Sequence, residues 1–135
     1  MYHSIEGGVC AAAGFKASGV HVGVKTHAAW KRDVALIVSE VPCAAAGGFT
    51  TNAIHITKAP LSDGKARAII ANSGNANACA PDGEENAERM CAAAAKAIGC
   101  DASEVLVAST GVIGQKLNVE VIENGVPELF AALEH

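Results

Sequence analysis

The sequence predicts a layered α/β (α+β) domain, and three observations carry that prediction. Short runs of β-branched and apolar residues alternate with stretches of helical periodicity. Half of the 135 residues are hydrophobic, which is enough for one core and too short a chain for two comfortable domains. Only 4% are aromatic, so Ala, Val, Ile and Leu must form tightly packed layers. We therefore expect a single domain, or part of one, over residues 1–135.

Strand patterns dominate the first half of the chain. Residues 20–25 alternate between apolar and polar side chains, as a half-buried strand does. Residues 34–38 are continuously apolar, which is typical of a strand covered on both faces. A polar turn at residues 31–33 separates the two and predicts a hairpin. Residues 50–57 predict a third strand, and residues 60–64 a turn.

The second half of the chain predicts a strand, a helix and another strand. Residues 68–71 form a short apolar strand that leads into an asparagine-rich loop at residues 72–77. Asp82 can cap the helix that follows, Glu85 completes a capping-box-like pattern, and Gly99 ends the helix. One face of this helix is apolar: Ala87, Met90, Cys91, Ala94, Ala95 and Ile98.

The last third of the chain predicts a strand that stops on a turn. Residues 105–108 are the strand, and Ser109, Thr110 and Gly111 form the turn. A helix is then expected near residues 119–123, with a break at Gly125 and a second helix opened by Pro127. Residues 133–135 resemble the remnant of an expression tag.

Charge and composition exclude several classes of function. The net charge is −4 and the basic residues are scattered, so nucleic acid is not an expected partner. No apolar run approaches the roughly 20 residues that span a bilayer, and no signal peptide opens the sequence. We expect a cytoplasmic protein without membrane contact.

The five cysteines lack metal-ligand spacing and are expected to act as small buried hydrophobes, with Cys79 the least certain.

The turn at Ser109, Thr110 and Gly111 offers backbone N–H and hydroxyl donors, which could form an oxyanion hole for acyl transfer. An ordinary capped turn is the alternative, and the tripeptide alone favours it. A phosphate-loop interpretation fails because the glycine spacing is too short and Leu117 replaces the magnesium-binding hydroxyl.

Three asparagines of the earlier loop are further candidates for substrate binding, although they could equally stabilise the loop: Asn72, Asn75 and Asn77.

Several ordered motifs together resemble the bifunctional ornithine acetyltransferase/glutamate N-acetyltransferase family of arginine biosynthesis. They are GFKASGV at 14–20, DVALI at 33–37, GFTTN at 48–52, KARAII at 65–70, NSGNANAC at 72–79 and VLVASTGVIG at 105–114. The match covers nearly all of residues 7–129 and corresponds to the N-terminal part of the family's α-chain.

The resemblance implies a function and a division of labour between chains. In this family a precursor cuts itself before a threonine, which becomes the β-chain nucleophile and carries acetyl from N-acetylornithine to glutamate. The α-chain supplies an oxyanion-stabilising Thr-Gly pair, which corresponds to Thr110 and Gly111 here. The resemblance further implies a layered sandwich, an assembly of two α and two β chains, and no cofactor, with acetyl-CoA a co-substrate in some members.

The family's α-chain continues beyond the point where this sequence stops, so the resemblance implies an incomplete α-chain that lacks the nucleophile. Two alternatives remain open at this stage. One is a non-catalytic fragment that self-associates or binds a ligand. The other is an N-terminal-nucleophile hydrolase of the same broad fold, which the motif match disfavours.

Overall fold

Four strands form one mixed sheet, and two helices cover one of its faces. The computed structural model describes residues 2–44 and 64–135. The strands lie in the order β1-β2-β3-β4. Strands β1 to β3 are antiparallel neighbours, and β4 runs parallel to β3. The elements are β1 (Phe15–Val20), β2 (Val34–Ala44), β3 (Lys65–Asn75), α1 (Gly83–Ile98), β4 (Val105–Val112) and α2 (Val119–Ala131).

The core lies between the sheet and the two helices. Leu36, Ile70 and Val107 sit side by side on β2, β3 and β4 and are almost completely buried. Met90 of α1 and Leu129 of α2 belong to the same apolar cluster. This arrangement confirms the layered α/β class, because alternate strand residues and one stripe of each helix share a single interior.

The first predicted strand is displaced. β1 is Phe15–Val20, whereas the prediction placed a strand at residues 20–25. The backbone N–H groups of Val22, Gly23 and Lys25 donate to the carboxylate of Asp33, so this segment folds around a side chain and does not form a strand. The strand that pairs antiparallel with β2 is β1, and thirteen residues, 21–33, connect the two, so the predicted hairpin between residues 20–25 and 34–38 is wrong. The strand expected at residues 50–57 lies outside the described residues.

The prediction for the central helix holds along its length and fails at its first turn. α1 buries Ala87, Met90, Cys91, Ala94 and Ala95 and ends at Gly99, which adopts φ 79°. Asp82 occupies the N-cap position, but its side chain makes no capping hydrogen bond and lies 3.4 Å from Lys116 Nζ. The capping-box prediction is therefore wrong, since that carboxylate faces a cation on another segment.

The C-terminal prediction of two helices is wrong, because α2 continues through both Gly125 and Pro127. Proline removes one backbone donor, but the same stretch buries Val126 and Leu129 against the core. Gly125 lets α2 pack closely against Val22, since a Cβ atom at position 125 would lie 2.1 Å from Val22 Cγ1. Tertiary packing thus outweighs the local helix-breaking signal.

Residues 133–135, which the sequence suggested were a tag remnant, make contacts with the rest of the fold. The Glu134 backbone pairs with Ala17 on the edge of β1. The Ala17 nitrogen lies 3.0 Å from the Glu134 oxygen, and the Glu134 nitrogen lies 3.1 Å from the Ala17 oxygen. Leu133 packs against the core cluster. These contacts cover part of an edge that would otherwise expose unpaired backbone groups.

Candidate functional site

Thr110 and Gly111 lie within β4, where the sequence predicted a turn. The strand continues to Val112, and in its parallel register Thr110 faces Ser73 while Gly111 faces Gly74. β3 likewise continues to Asn75, so the first part of the expected asparagine loop is strand. Both turn predictions are wrong for the same reason: each polar segment pairs with the other, and this pairing satisfies its backbone groups.

Gly74 and Gly111 come unusually close together. A Cβ atom on Gly111 would lie 2.3 Å from the carbonyl carbon of Gly74 and 2.6 Å from the nitrogen of Asn75. Both glycines also adopt positive φ angles, 112° at Gly74 and 132° at Gly111. No L-residue with a side chain fits position 111 without moving the neighbouring backbone. Position 111 therefore requires glycine because the ends of β3 and β4 pack so closely there.

Thr110 borders a cleft beside these strand ends. The cleft has a volume of about 540 Å³ and lies between the N-terminal segment around Val9 and the face of the sheet that the helices leave open. Ala71 and Ser73 of β3 share its lining with Thr110. Thr110 is exposed, and its hydroxyl makes no hydrogen bond to any residue in the described part of the chain. The hydroxyl is thus available as a donor to a molecule in the cleft.

The three candidate asparagines are held by hydrogen bonds within the fold. Asn72 is buried, and its Oδ1 accepts from Ser109 Oγ at 2.6 Å while its Nδ2 donates to the Asn75 carbonyl at 2.8 Å. Asn75 Nδ2 donates to the carbonyl oxygen of Gln115 at 2.9 Å. Asn77 is buried and donates to the carbonyl of Gly83. The bond between Ser109 and Asn72 joins the ends of β3 and β4, and substrate binding by the asparagines stays a prediction.

A buried carboxylate organises the loop beside the site. The side chain of Asp33 has no exposed surface and accepts hydrogen bonds from the backbone nitrogens of Val22, Gly23 and Lys25 at 2.7, 3.2 and 2.9 Å. His21 Nδ1 lies 3.0 Å from the same carboxylate. Burial alone would raise the pKa of Asp33, but the backbone donors and His21 outweigh it and hold the pKa below its usual value.

This loop is the part of the site that the sequence analysis missed. Residues 31–33 are predicted to be a polar turn, and no local pattern shows that Asp33 binds the backbone of residues eight to eleven positions earlier. The Asp33 carbonyl also accepts from the Ser73 nitrogen at 2.8 Å, which links the loop to β3 opposite Thr110. The DVALI motif at 33–37, which contains Asp33, was the available signal.

Neither a metal site nor a disulfide forms within the described residues. No group of three His, Cys, Asp or Glu side chains there has the arrangement that could hold a metal ion. All five cysteines are free. Cys91 is buried as predicted, whereas Cys79 is exposed and adopts φ 55°, so the expectation of a buried hydrophobe is wrong for Cys79. No helix in residues 2–44 and 64–135 is long and apolar enough to cross a membrane.

The paired strand ends and their motifs occur in a known family. The ArgJ family profile matches residues 16–135, which is most of the chain. The chain belongs to the ArgJ family. Recognition of the ornithine acetyltransferase/glutamate N-acetyltransferase family from the sequence is thereby confirmed.

Individual relatives agree with this assignment. The chain is 44% identical over 135 residues to the arginine biosynthesis bifunctional protein ArgJ of Symbiobacterium thermophilum, covering 96% of this chain and 34% of that protein. It is 42% identical over 132 residues to the glutamate N-acetyltransferase of Methanocaldococcus jannaschii, covering 93% of this chain and 31% of that protein. The chain thus spans about a third of the length of these curated relatives.

Two solved structures share the fold. The ornithine acetyltransferase of Mycobacterium tuberculosis, crystallised with ornithine, superposes with a TM-score of 0.81 at 36% identity, covering 90% of this chain and 68% of that one. The ArgJ protein of Bacillus halodurans gives a TM-score of 0.79 at 37% identity, covering 87% and 64%. The predicted fold of the ornithine acetyltransferase type is therefore confirmed.

Proposed function

We propose that this chain provides the oxyanion-stabilising part of an acyltransferase that moves an acetyl group from N-acetylornithine to glutamate. Membership of the ArgJ family supports this reaction class, as do the functions named for its relatives. The observation that carries the proposal is the end of the β3-β4 pair, where the exposed Thr110 borders the cleft and is followed by Gly111, whose backbone is fixed against Gly74.

The geometry suits an acyl group with a developing negative charge. Thr110 Oγ is a hydroxyl donor at the edge of the cleft, and β4 is an edge strand of the described sheet, so alternate N–H groups point away from β3. Gly111 follows Thr110 on β4, and the close contact with Gly74 fixes its backbone. Donors fixed before the reaction stabilise an oxyanion without further reorganisation. We assign that role to the Thr110 hydroxyl and the Gly111 N–H.

The attacking atom comes from a second polypeptide in this proposal. The hydroxyl oxygen of its N-terminal threonine attacks the acetyl carbonyl, while its own amine takes the hydroxyl proton. The tetrahedral oxyanion then collapses, the amide C–N bond breaks, and the proton passes to the leaving ornithine nitrogen. The resulting threonine ester transfers acetyl to the amine of glutamate and regenerates the hydroxyl. No cofactor is needed, and acetyl-CoA would enter as an alternative acetyl donor to the same threonine.

The open face of the sheet is where we place the partner. Ile69 and Ala108 are exposed on it and Ala71 is half-buried, and the cleft with Thr110 opens on the same side. A partner that covers these apolar side chains would also bring its threonine toward Thr110. We propose a hetero-oligomer of two such chains with two nucleophile-bearing chains, acting in the cytoplasm.

The test is reconstitution with a polypeptide that carries the nucleophilic threonine of a close relative. Acetyl transfer from N-acetylornithine to glutamate is measured for the unsubstituted chain and for Thr110→Ala. Loss of one oxyanion donor should lower kcat about 100- to 1000-fold, with little change in the thermal midpoint of unfolding. Self-cleavage of a fused precursor should slow as well, because the same oxyanion forms there.

Ser73→Ala is the matched control, since Ser73 faces Thr110 across the strand pair and lines the same cleft. It removes a neighbouring hydroxyl and should leave kcat near the unsubstituted value. Equal rates for Thr110→Ala and the unsubstituted complex would remove the oxyanion assignment. A complex that never forms, together with a monodisperse assembly of the chain alone that binds ornithine, would favour the non-catalytic alternative.

A further inference from the structure

An apolar groove runs between α1 and α2 on the surface of the helix layer, and we call it the helix groove. Its volume is about 600 Å³. Small and apolar side chains form most of its surface: Ala92, Ala93, Ala97, Val126, Pro127 and Phe130. Phe130 is 42% exposed, so a large aromatic ring stands beside a row of small alanines. An exposed apolar surface of this kind marks a contact site.

The two ends of the helix groove differ in charge. Toward the start of the helices, Arg89 and Glu123 pair across the groove, with N–O distances of 2.8 and 2.6 Å. Glu120 is exposed at that end, in the first turn of α2. At the other end, Lys96 lines the groove in the last turn of α1. Neither Glu120 nor Lys96 forms an ion pair within the described residues.

These features are self-complementary about a two-fold axis that passes perpendicularly through the helix groove. α1 and α2 run in the same direction, because Arg89 meets Glu123 near one end of the groove and Lys96 lines it together with Phe130 at the other. A two-fold rotation reverses that direction. The Lys96 end of one copy then lies over the acidic end of the second copy, and helices that cross the contact are antiparallel, which their dipoles favour.

We infer that a second copy of this chain docks in the helix groove, with Lys96 of each copy paired to Glu120 of the other. Phe130 of each copy packs against the alanine wall of the other, and the small alanines let the four helices approach closely. The cleft that Thr110 borders lies on the face of the sheet that the helices leave open, so it stays accessible in the dimer. The inference goes beyond the acetyl-transfer proposal and does not depend on its chemistry.

Sedimentation equilibrium of the full chain tests the dimer. The unsubstituted chain should be a dimer that dissociates on dilution, and added salt should weaken it because part of the attraction is between exposed charges. Phe130→Ala should raise the dimer Kd roughly 10- to 100-fold, as the loss of an aromatic anchor does. The thermal midpoint of unfolding shows whether each variant keeps its fold.

Charge reversal tests which residues meet. Lys96→Glu and Glu120→Lys each place like charges at both symmetric contacts, and each should raise the dimer Kd roughly 10-fold. An equimolar mixture of the two variants should regain the affinity of the unsubstituted chain, because both contacts of the heterodimer then join opposite charges. A contact within one chain does not predict this recovery. Both positions are exposed, so these variants test the contact even if Phe130→Ala unfolds the chain.

Lys31→Glu is the matched control, since Lys31 is exposed on the loop at residues 21–33 and the substitution changes the net charge by the same amount as Lys96→Glu. It should leave the dimer Kd unchanged.

Three outcomes would overturn the inference. One is a monomeric unsubstituted chain, and another is a dimer that Phe130→Ala leaves intact. The third is a mixture of Lys96→Glu and Glu120→Lys that binds no better than either variant alone. If the chain is monomeric and Phe130→Ala weakens its complex with the nucleophile-bearing polypeptide, the helix groove binds that polypeptide and not a second copy. None of these results alters the assignment of Thr110, which the kinetics of the reconstituted complex test separately.

Discussion

The two faces of the sheet are built from the same four strands and differ in what lies against them. On the helix-covered face, Leu36 and Ile70 are fully buried and contribute to one continuous core. On the opposite face, Ile69 and Ala108 are exposed and Ala71 is half-buried. Adjacent residues of one strand, Ile69 and Ile70, therefore have the same side chain in opposite environments.

The difference indicates a division of labour within the sheet. Large side chains on the covered face bury apolar area, which is the main source of folding stability. Small residues on the open face leave room for the cleft that Thr110 borders. An apolar surface of this kind is typical of a contact site. The covered face should thus determine stability, and the open face should determine assembly and activity.

The largest expected effect is a difference in folding stability between alanine variants of the two isoleucines, Ile70 and Ile69. Ile70→Ala should reduce the free energy of unfolding by about 2–5 kcal/mol, because it leaves a cavity in a fully enclosed site. Ile69→Ala removes the same atoms from a position 38% exposed and should cost about 1 kcal/mol or less. Urea unfolding followed by circular dichroism measures both values.

The reconstituted complex sharpens this comparison. If a partner covers the open face, Ile69→Ala should weaken assembly with the nucleophile-bearing polypeptide more than it weakens the folded chain. Similar losses of folding stability for the two variants would contradict the contrast between the faces. Analytical ultracentrifugation of each variant with the partner reads out the assembly.

The sequence predicted the covered layer well, because that layer follows from periodicity. The apolar run at residues 68–71 identified β3, the apolar stripe of α1 identified its buried residues, and Gly99 marked the helix end. Pro127 misled the prediction, since local helix-breaking tendency cannot show that α2 packs against Val22 at Gly125. Long-range packing decided that element.

The site was only partly accessible from the sequence. Thr110 and Gly111 were selected as oxyanion donors, but their strand geometry depends on the pairing with Ser73 and Gly74, which are distant in sequence. The loop around Asp33 was missed because a carboxylate that binds backbone groups has no sequence period. The motif match indicated the family, and no spacing rule could have done so.

The next largest effect is a loss of folding stability in acid, caused by protonation of Asp33 in the loop that flanks the site. The pKa of Asp33 is lower in the folded chain than in the unfolded one, so the carboxylate contributes stability that is fully present above the unfolded pKa, about 3.9. That contribution is lost as pH falls through the folded pKa. We expect stability to decrease below about pH 4. Unfolding in urea at a series of pH values follows the change.

Asp33→Asn isolates this contribution. The amide replaces one acceptor oxygen with a donor that faces backbone N–H groups, so it should cost about 1–3 kcal/mol at neutral pH and flatten the acid dependence. Glu128→Gln is the control, because Glu128 is an exposed carboxylate on α2. Equal acid dependence in Asp33→Asn and the unsubstituted chain would show that Asp33 is not the responsible group.

The smallest effect is a difference in reactivity between two thiols, Cys79 and Cys91, in the intact fold. Burial, followed by the negative charge of Glu88, raises the pKa of Cys91 to about 12, and Sγ donates to the Val105 carbonyl at 3.3 Å beneath the sheet. At pH 8 only about one Cys91 in ten thousand would be a thiolate. Cys79 is exposed. Iodoacetamide should therefore modify Cys79 in the native chain and leave Cys91 unmodified, as peptide mass spectrometry would show.

Ile70→Ala connects this labelling to the comparison between the faces. Cys91 lies in the same cluster as Ile70, so a variant that loosens the covered layer should admit the reagent to Cys91. Ile69→Ala should not, because its side chain lies on the other face. If both variants expose Cys91 equally, the two faces form one cooperative unit and the division of labour between them is wrong. If only Ile70→Ala does so, the core can be weakened locally without disturbing the surface that carries Thr110.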